Sequence, residues 1–141
     1  MGDIPVLTQI LSVKQARELN PLVLAYIGDG AHTLYVRIEE LKKTTGKADK
    51  LHIAVTARVN AAAQAKSMEA IRPLLNEEEE SIFLRARNSR QHSVAKNASI
   101  ADYKTATGFE AVIGFLYLTG QSERLEFLLR QDRAVVDADN Q

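Results

Sequence analysis

Cysteine is absent from the 141-residue chain. That excludes a disulfide framework, a thiolate zinc site and a cysteine nucleophile. Proline occurs only at Pro5, Pro21 and Pro73, and none of the three interrupts a strong apolar pattern. No apolar run approaches the roughly 20 residues of a membrane span. The opening Met-Gly-Asp-Ile-Pro lacks the basic-then-apolar order of a secretory leader, so the expected location is the cytoplasm, away from membranes. An excess of either charge is missing too, with 18 basic and 18 acidic residues. A chain coated in positive charge is thereby excluded, although a local basic patch can still bind phosphate. What is present, 45% apolar and 26% charged residues, is the balance of an ordinary globular protein. One domain over residues 1–141 is expected, with a core of about 12–131 and a polar tail, 132–141, that frays.

Alternation of period two is scarce, whereas helical spacing recurs throughout, which predicts an all-α fold. Ser12 with Gln15 reads as a capping box opening a short helix. Asn20-Pro21 starts the next, with a stripe of Leu24, Ile27, Ala31, Leu34, Ile38 and Leu41. Asp49 is placed as the cap of a third helix with Leu51, Val55, Val59 and Ala62 inward. Asn76 caps a fourth, whose first turn of four glutamates suits the helix dipole. Ser99 with Asp102 opens a fifth, which Gly120 ends, and Leu125, Leu128 and Leu129 mark a last.

Two carboxylates stand where the pattern calls for carbon. Asp29 lies mid-helix between Gly28 and Gly30, each glycine costing on the order of 1 kcal/mol against alanine. Such a pair implies close approach there by another backbone, a metal or a phosphate. Helix packing over the glycines, with Asp29 exposed at an edge, accounts for them equally well. Glu110 falls on one face with Ala106, Ile113 and Tyr117, an apolar stripe. A carboxylate there is protonated, paired or bound to a cation. Two carboxylates beside glycines suit a hard ion such as Mg²⁺, with Mn²⁺ as substitute. His32, His52 and His92 show no ligand spacing and read as structural or surface residues.

Basic residues are segregated. Between residues 85 and 104 lie Arg85, Arg87, Arg90, Lys96 and Lys104 against one acid, Asp102. Asn88, Asn97 and Tyr103 add neutral donors suited to phosphate and ribose oxygens. A solvated loop balancing the glutamate run is the plainer reading. A lysine cluster, Lys42, Lys43, Lys47 and Lys50, sits at a helix C-terminus where cations are favoured anyway. A metal site at Asp29 and Glu110 beside a basic, amide-rich loop suits phosphodiester hydrolysis.

The segment Leu24-Ala25-Tyr26-Ile27-Gly28-Asp29-Gly30-Ala31 resembles the signature helix of the ribonuclease III family, usually Glu-Phe-Leu-Gly-Asp-Ala-Val. Ala106-Thr107-Gly108-Phe109-Glu110-Ala111-Val112-Ile113-Gly114 resembles the family's second acidic motif, usually Ala-Asp-x-Phe-Glu-Ala-x-Ile-Gly. The likeness runs from about residue 20 to 130. With no double-stranded-RNA-binding domain expected after the last helix, it is greatest to the Mini-ribonuclease III group. The resemblance implies a two-fold homodimer, Mg²⁺-dependent, that cuts double-stranded RNA. It implies trimming of the paired ends of the 23S ribosomal RNA precursor, helped by a large-subunit ribosomal protein. Asp29 and Glu110 fall on the family's essential metal-binding acids, and Tyr26 on its aromatic knob at the dimer interface. Arg85, Arg87, Asn88, Arg90, Lys96, Asn97, Tyr103 and Lys104 are the candidate RNA contacts. Ala25 and Thr107 stand where the family carries two further acids. That loss predicts a metal-hungry enzyme, or alternatively a catalytically weak or inactive dimeric RNA-binding scaffold.

Overall fold

A computed structural model describes residues 10–43, 46–89 and 99–139, and the side chains of the last helix through Asp132. All the regular structure among the described residues is helical. In chain order it comprises α1 (Val13–Glu18), α2 (Pro21–Lys43), α3 (Ala48–Val59), α4 (Ala61–Ile71), a 3₁₀ turn (Arg72–Leu74), α5 (Glu77–Arg87), α6 (Ile100–Leu118) and α7 (Ser122–Asp139). Among the described residues no helix is long and apolar enough to cross a membrane.

Helix α6 is the centre of the molecule, packed against α2, α4 and α5 with α7 alongside. It is apolar on every side. From Ala106 to Leu118 only Glu110 and Tyr117 are not fully buried. Phe109, Ile113, Phe115 and Leu116 have no exposed surface, and each such burial contributes roughly 1.5–3 kcal/mol. A helix apolar all round has to be enclosed by others, which fixes α6 as the axis of the bundle.

Caps set most of the boundaries. Ser12 and Gln15 bond each other's backbone N–H at α1, and Asn20 Oδ1 accepts from Leu22 N at 2.8 Å where α2 begins. Asn76 and Glu79 form a second reciprocal box at α5. Ser99 supplies only half of one, its hydroxyl accepting from Asp102 N. Gly120, at φ 70°, turns the chain out of α6.

Three expectations need correction. The third helix is two: Asn60 breaks it, its side chain capping α4 by accepting from Ala63 N at 2.9 Å. Ala62 is exposed as a result, and Lys47 rather than Asp49 occupies the cap of α3. In α2 the apolar stripe does not stay inside. Leu24, Gly28, His32, Val36 and Glu40, four residues apart, are the buried set, while Leu34, Ile38 and Leu41 are 59%, 45% and 53% exposed. The segment from Asp132 does not fray at once, since α7 continues to Asp139 and Asp132 is buried.

An ion pair between buried Glu79 and half-buried Arg124 ties α7 to the start of α5. Glu79 is 1% exposed and receives Arg124 through both carboxylate oxygens, at 2.7 and 2.8 Å. Burial opposes its ionisation, but Arg124 and the Asn76 N–H together hold its pKa below the usual carboxylate value. Arg124→Met is expected to destabilise the protein by about 3 kcal/mol, because it strands a buried carboxylate. The loss should be read by urea unfolding at pH 7 and should shrink in acid, where Glu79 is protonated in either protein.

Candidate active site

Glycine brings the two unexpected carboxylates together. A Cβ on Gly28 would lie 1.7 Å from the Glu110 carbonyl oxygen, and one on Gly114 would lie 2.0 Å from the Leu24 carbonyl oxygen. Helices α2 and α6 therefore cross backbone against backbone. The close approach inferred at Gly28 is made by another helix. Gly30 is different, since a Cβ there meets nothing within 4 Å. The packing account of the glycines thus holds for Gly28, and Asp29 is indeed exposed at the helix edge.

Its neighbour across the crossing is Glu110, half-buried and close enough to feel both the hydrogen-bonding capacity and the charge of Asp29. Burial, then the Asp29 hydrogen bond and charge, push the Glu110 pKa up to about 9. At neutral pH this carboxyl keeps its proton. Two oxygen-rich side chains so placed are a strained pair by themselves and a suitable one for a divalent cation. The donor set is small. Among the described residues no group of three or more His, Cys, Asp or Glu converges. Ala25 is 6% exposed, and Thr107, 7% exposed, donates its hydroxyl to the Tyr103 carbonyl at 3.0 Å. The residues fit an ion that keeps most of its water, as Mg²⁺ does.

The predicted RNA contacts divide into groups. Arg90, Lys96 and Asn97 lie outside the described residues. Arg85 is exposed, yet its guanidinium donates to the carbonyls of Arg17 at 3.0 Å and Leu19 at 3.3 Å, closing the end of α1. Arg87 lies over the Phe83 ring at 5.5 Å and donates to Asn88 Oδ1. Arg87, Asp102 and Thr105 line a groove of about 480 Å³ between α4, α5 and the first turns of α6. Lys104 is exposed and Tyr103 half-buried on α6. Tyr26 stands on the outer face of α2, 76% exposed.

Sequence reasoning missed three buried polar residues behind the acids, Gln64, Ser67 and Asp132, and their link to His32, which it read as structural or surface. Gln64 on α4 reaches Glu110 Oε2 at 3.5 Å and His32 Nδ1 at 3.1 Å. His32 Nε2 faces Asp132 Oδ2 at 3.3 Å, and Ser67 donates to the other Asp132 oxygen. A signal did exist for Gln64. It shares the inward stripe of α4 with Met68 and Ile71, a polar residue on an apolar face as Glu110 is. Of the histidines, His32 is buried, His52 is exposed, and His92 lies outside the described residues.

Residues 22–121 match the family described as Ribonuclease III domain. The match defines the class, an endoribonuclease of the ribonuclease III type, whose substrate is double-stranded RNA. Two relatives narrow it. The Mini-ribonuclease 3 of Clostridium tetani is 45% identical over 81% of this chain and 76% of its own length. That of Brevibacillus brevis is 43% identical over 86% of this chain and 90% of its own. The crystal structure of a Fusobacterium nucleatum protein superposes with a TM-score of 0.76 at 29% identity, covering 87% of this chain and 96% of that one. The chain belongs to the Mini-ribonuclease 3 family.

Proposed function

We propose that the protein cuts double-stranded RNA as a homodimer, with Asp29 and Glu110 holding Mg²⁺, or Mn²⁺ in its place, in each subunit. The observation that carries this reading is the backbone-to-backbone crossing of α2 and α6, which sets the Asp29 and Glu110 carboxyls side by side. A divalent ion bound there supplies the Lewis acidity that phosphodiester hydrolysis needs. Asp29, exposed at the helix edge, presents its oxygens to solvent and substrate. Glu110, held half-buried by the crossing, would be the second carboxylate ligand, and a bound cation would favour its ionised form. With two protein carboxylates, the remaining ligands are water and substrate phosphate, so a high Mg²⁺ requirement is expected.

The second subunit is supported by the outer face of α2. Val23, Tyr26, Leu34 and Leu41 lie within a narrow arc of that helix, and all are exposed in the single chain. Gly30 lies in the same arc with open space over it. An apolar stripe of this length is ordinarily covered. Leu34→Glu is therefore expected to give a monomer by analytical ultracentrifugation, folded by circular dichroism.

The natural substrate we propose is the paired ends of the 23S ribosomal RNA precursor, presented with a large-subunit ribosomal protein, in the cytoplasm. Support comes from family membership and from the even charge balance, which leaves modest affinity for the nuclease body alone. Arg87, in the α5–α6 groove, and exposed Lys104 on α6 are the described candidates for phosphate contacts, with Arg90, Lys96 and Asn97 between them in sequence. Incubation with a long perfect RNA duplex tests the activity. Fragments with 5′-phosphates are expected with Mg²⁺ and none with EDTA, whereas an intact duplex in Mg²⁺ overturns the reading.

A further inference from the structure

The buried chain of hydrogen bonds behind Glu110 has a direction. Gln64, His32, Asp132 and Ser67 are each at most 2% exposed and come from α4, α2, α7 and α4. A primary amide has two N–H donors, and Gln64 Nε2 has two acceptors in range, Glu110 Oε2 at 3.5 Å and His32 Nδ1 at 3.1 Å. For Nδ1 to accept, His32 must carry its proton on Nε2, which faces Asp132 Oδ2 at 3.3 Å. Asp132 is in turn held by the Ser67 hydroxyl, and the His32 ring stands edge-on to Phe109 at 4.9 Å. With the amide turned over, its carbonyl would need a proton on His32 Nδ1, in addition to the one facing Asp132, and the Glu110 proton that lies toward Asp29. The placed orientation satisfies the same groups with a single proton on the ring and none borrowed from the acids.

A core that needed only filling would be cheaper in carbon, as Met68 and Ile71 on the same stripe of α4 demonstrate. The chain of bonds ends on the one carboxyl that meets Asp29. We infer that Gln64 is a positioning residue for the ion site. Its N–H would orient the Glu110 carboxylate toward Asp29, and the His32–Asp132 pair would hold its amide in the donating orientation. The inference rests on the reading of Asp29 and Glu110 as the holders of a divalent ion. By itself the 3.5 Å contact is long; the fixed orientation of its donor is what makes it directional.

Mn²⁺ binding to the full RNA-free protein, titrated by electron paramagnetic resonance, gives a readout independent of cleavage. Gln64→Met keeps the volume and removes both donors. It is expected to weaken Mn²⁺ binding about tenfold or more and to raise the half-saturating Mg²⁺ for duplex cleavage by a similar factor. KM for the duplex at saturating Mg²⁺ should stay unchanged. His32→Phe, which keeps a ring against Phe109 but releases the amide, should weaken Mn²⁺ binding in the same direction and add little on top of Gln64→Met. A merely structural network would lower Tm and leave Mn²⁺ affinity alone, and affinity within twofold of wild type in folded Gln64→Met overturns the inference. Should that variant not fold, the Gln64 side-chain amide resonances of the wild-type protein decide. They are expected to shift as Mg²⁺ is added, and unmoved resonances overturn the inference. Wild-type protein that binds no Mn²⁺ at all defeats the ion-site reading first, and this one with it.

Discussion

Glu110→Gln is expected to abolish duplex cleavage, by a factor of a thousand or more, and to leave the fold at least as stable as wild type at pH 8. The first half follows from its place as one of two carboxylates that meet at the site among the described residues. Removing half of the anionic ligands leaves nothing nearby to replace them, since Ala25 offers carbon and the Thr107 hydroxyl is engaged with a backbone carbonyl. The second half follows from proton linkage. Glu110 is raised from 4.5 to about 9 in the folded protein. The folded state therefore binds more protons than the unfolded chain between those values, and stability must fall as pH rises through that window. Glutamine has the same shape, cannot ionise and retains the hydrogen bond to Asp29. The variant should lack this component of the decline, so the difference in Tm between the two proteins should grow in favour of Glu110→Gln from pH 6 to pH 9. Mg²⁺ should reverse it for wild type alone, raising its Tm at pH 8 while leaving the variant unmoved. Residual cleavage above a few per cent, or a Tm difference flat with pH, would remove Glu110 from its assigned role.

Much of this site was legible because polar residues violated a pattern. Asp29 and Glu110 interrupt apolar helical stripes, and the two motifs around them carried the family resemblance. Ser12, Asn20, Asn76 and Gly120 marked helix ends because caps are local chemistry, decided within four residues. Asn60 was overlooked for the opposite reason. It interrupts no apolar run, and only the turn between α3 and α4 shows that its side chain caps a helix. The two faces of α2 could not be separated from periodicity. The Leu34 to Leu41 stripe and the Leu24 to Val36 stripe both repeat at helical spacing, and which one turns inward depends on where α6 lies. Gln64, His32 and Asp132 were beyond reach as a set. They stand 32 and 100 positions apart in pairs, so only the folded chain joins them. Arg85 is a candidate RNA contact on its charge, and only the folded chain shows that its exposed guanidinium also bonds the end of α1.

Gly28→Ala is expected to lower Tm by about 10 °C, from about 3 kcal/mol of lost stability. Alanine is favoured over glycine in a helix interior by about 1 kcal/mol, so propensity alone predicts the opposite sign. Sterics decide the outcome. The new methyl would sit 1.7 Å from the Glu110 carbonyl oxygen, and backbone cannot rotate aside as a flexible side chain can. Helix α6 must move off α2, opening contacts in the best-packed part of the core. The displaced atom belongs to Glu110 itself, so the separation that relieves the clash also draws its carboxyl away from Asp29. Cleavage should fall with stability, and it should fall even at temperatures where the variant is fully folded. Gly30→Ala is the control one residue beyond Asp29. With no atom within 4 Å of the added carbon in the single chain, it should raise helix stability by up to about 1 kcal/mol and leave the carboxyl pair in place. If Gly28→Ala melted like wild type and cut RNA at the wild-type rate, the backbone contact would not be what sets the distance between the two acids.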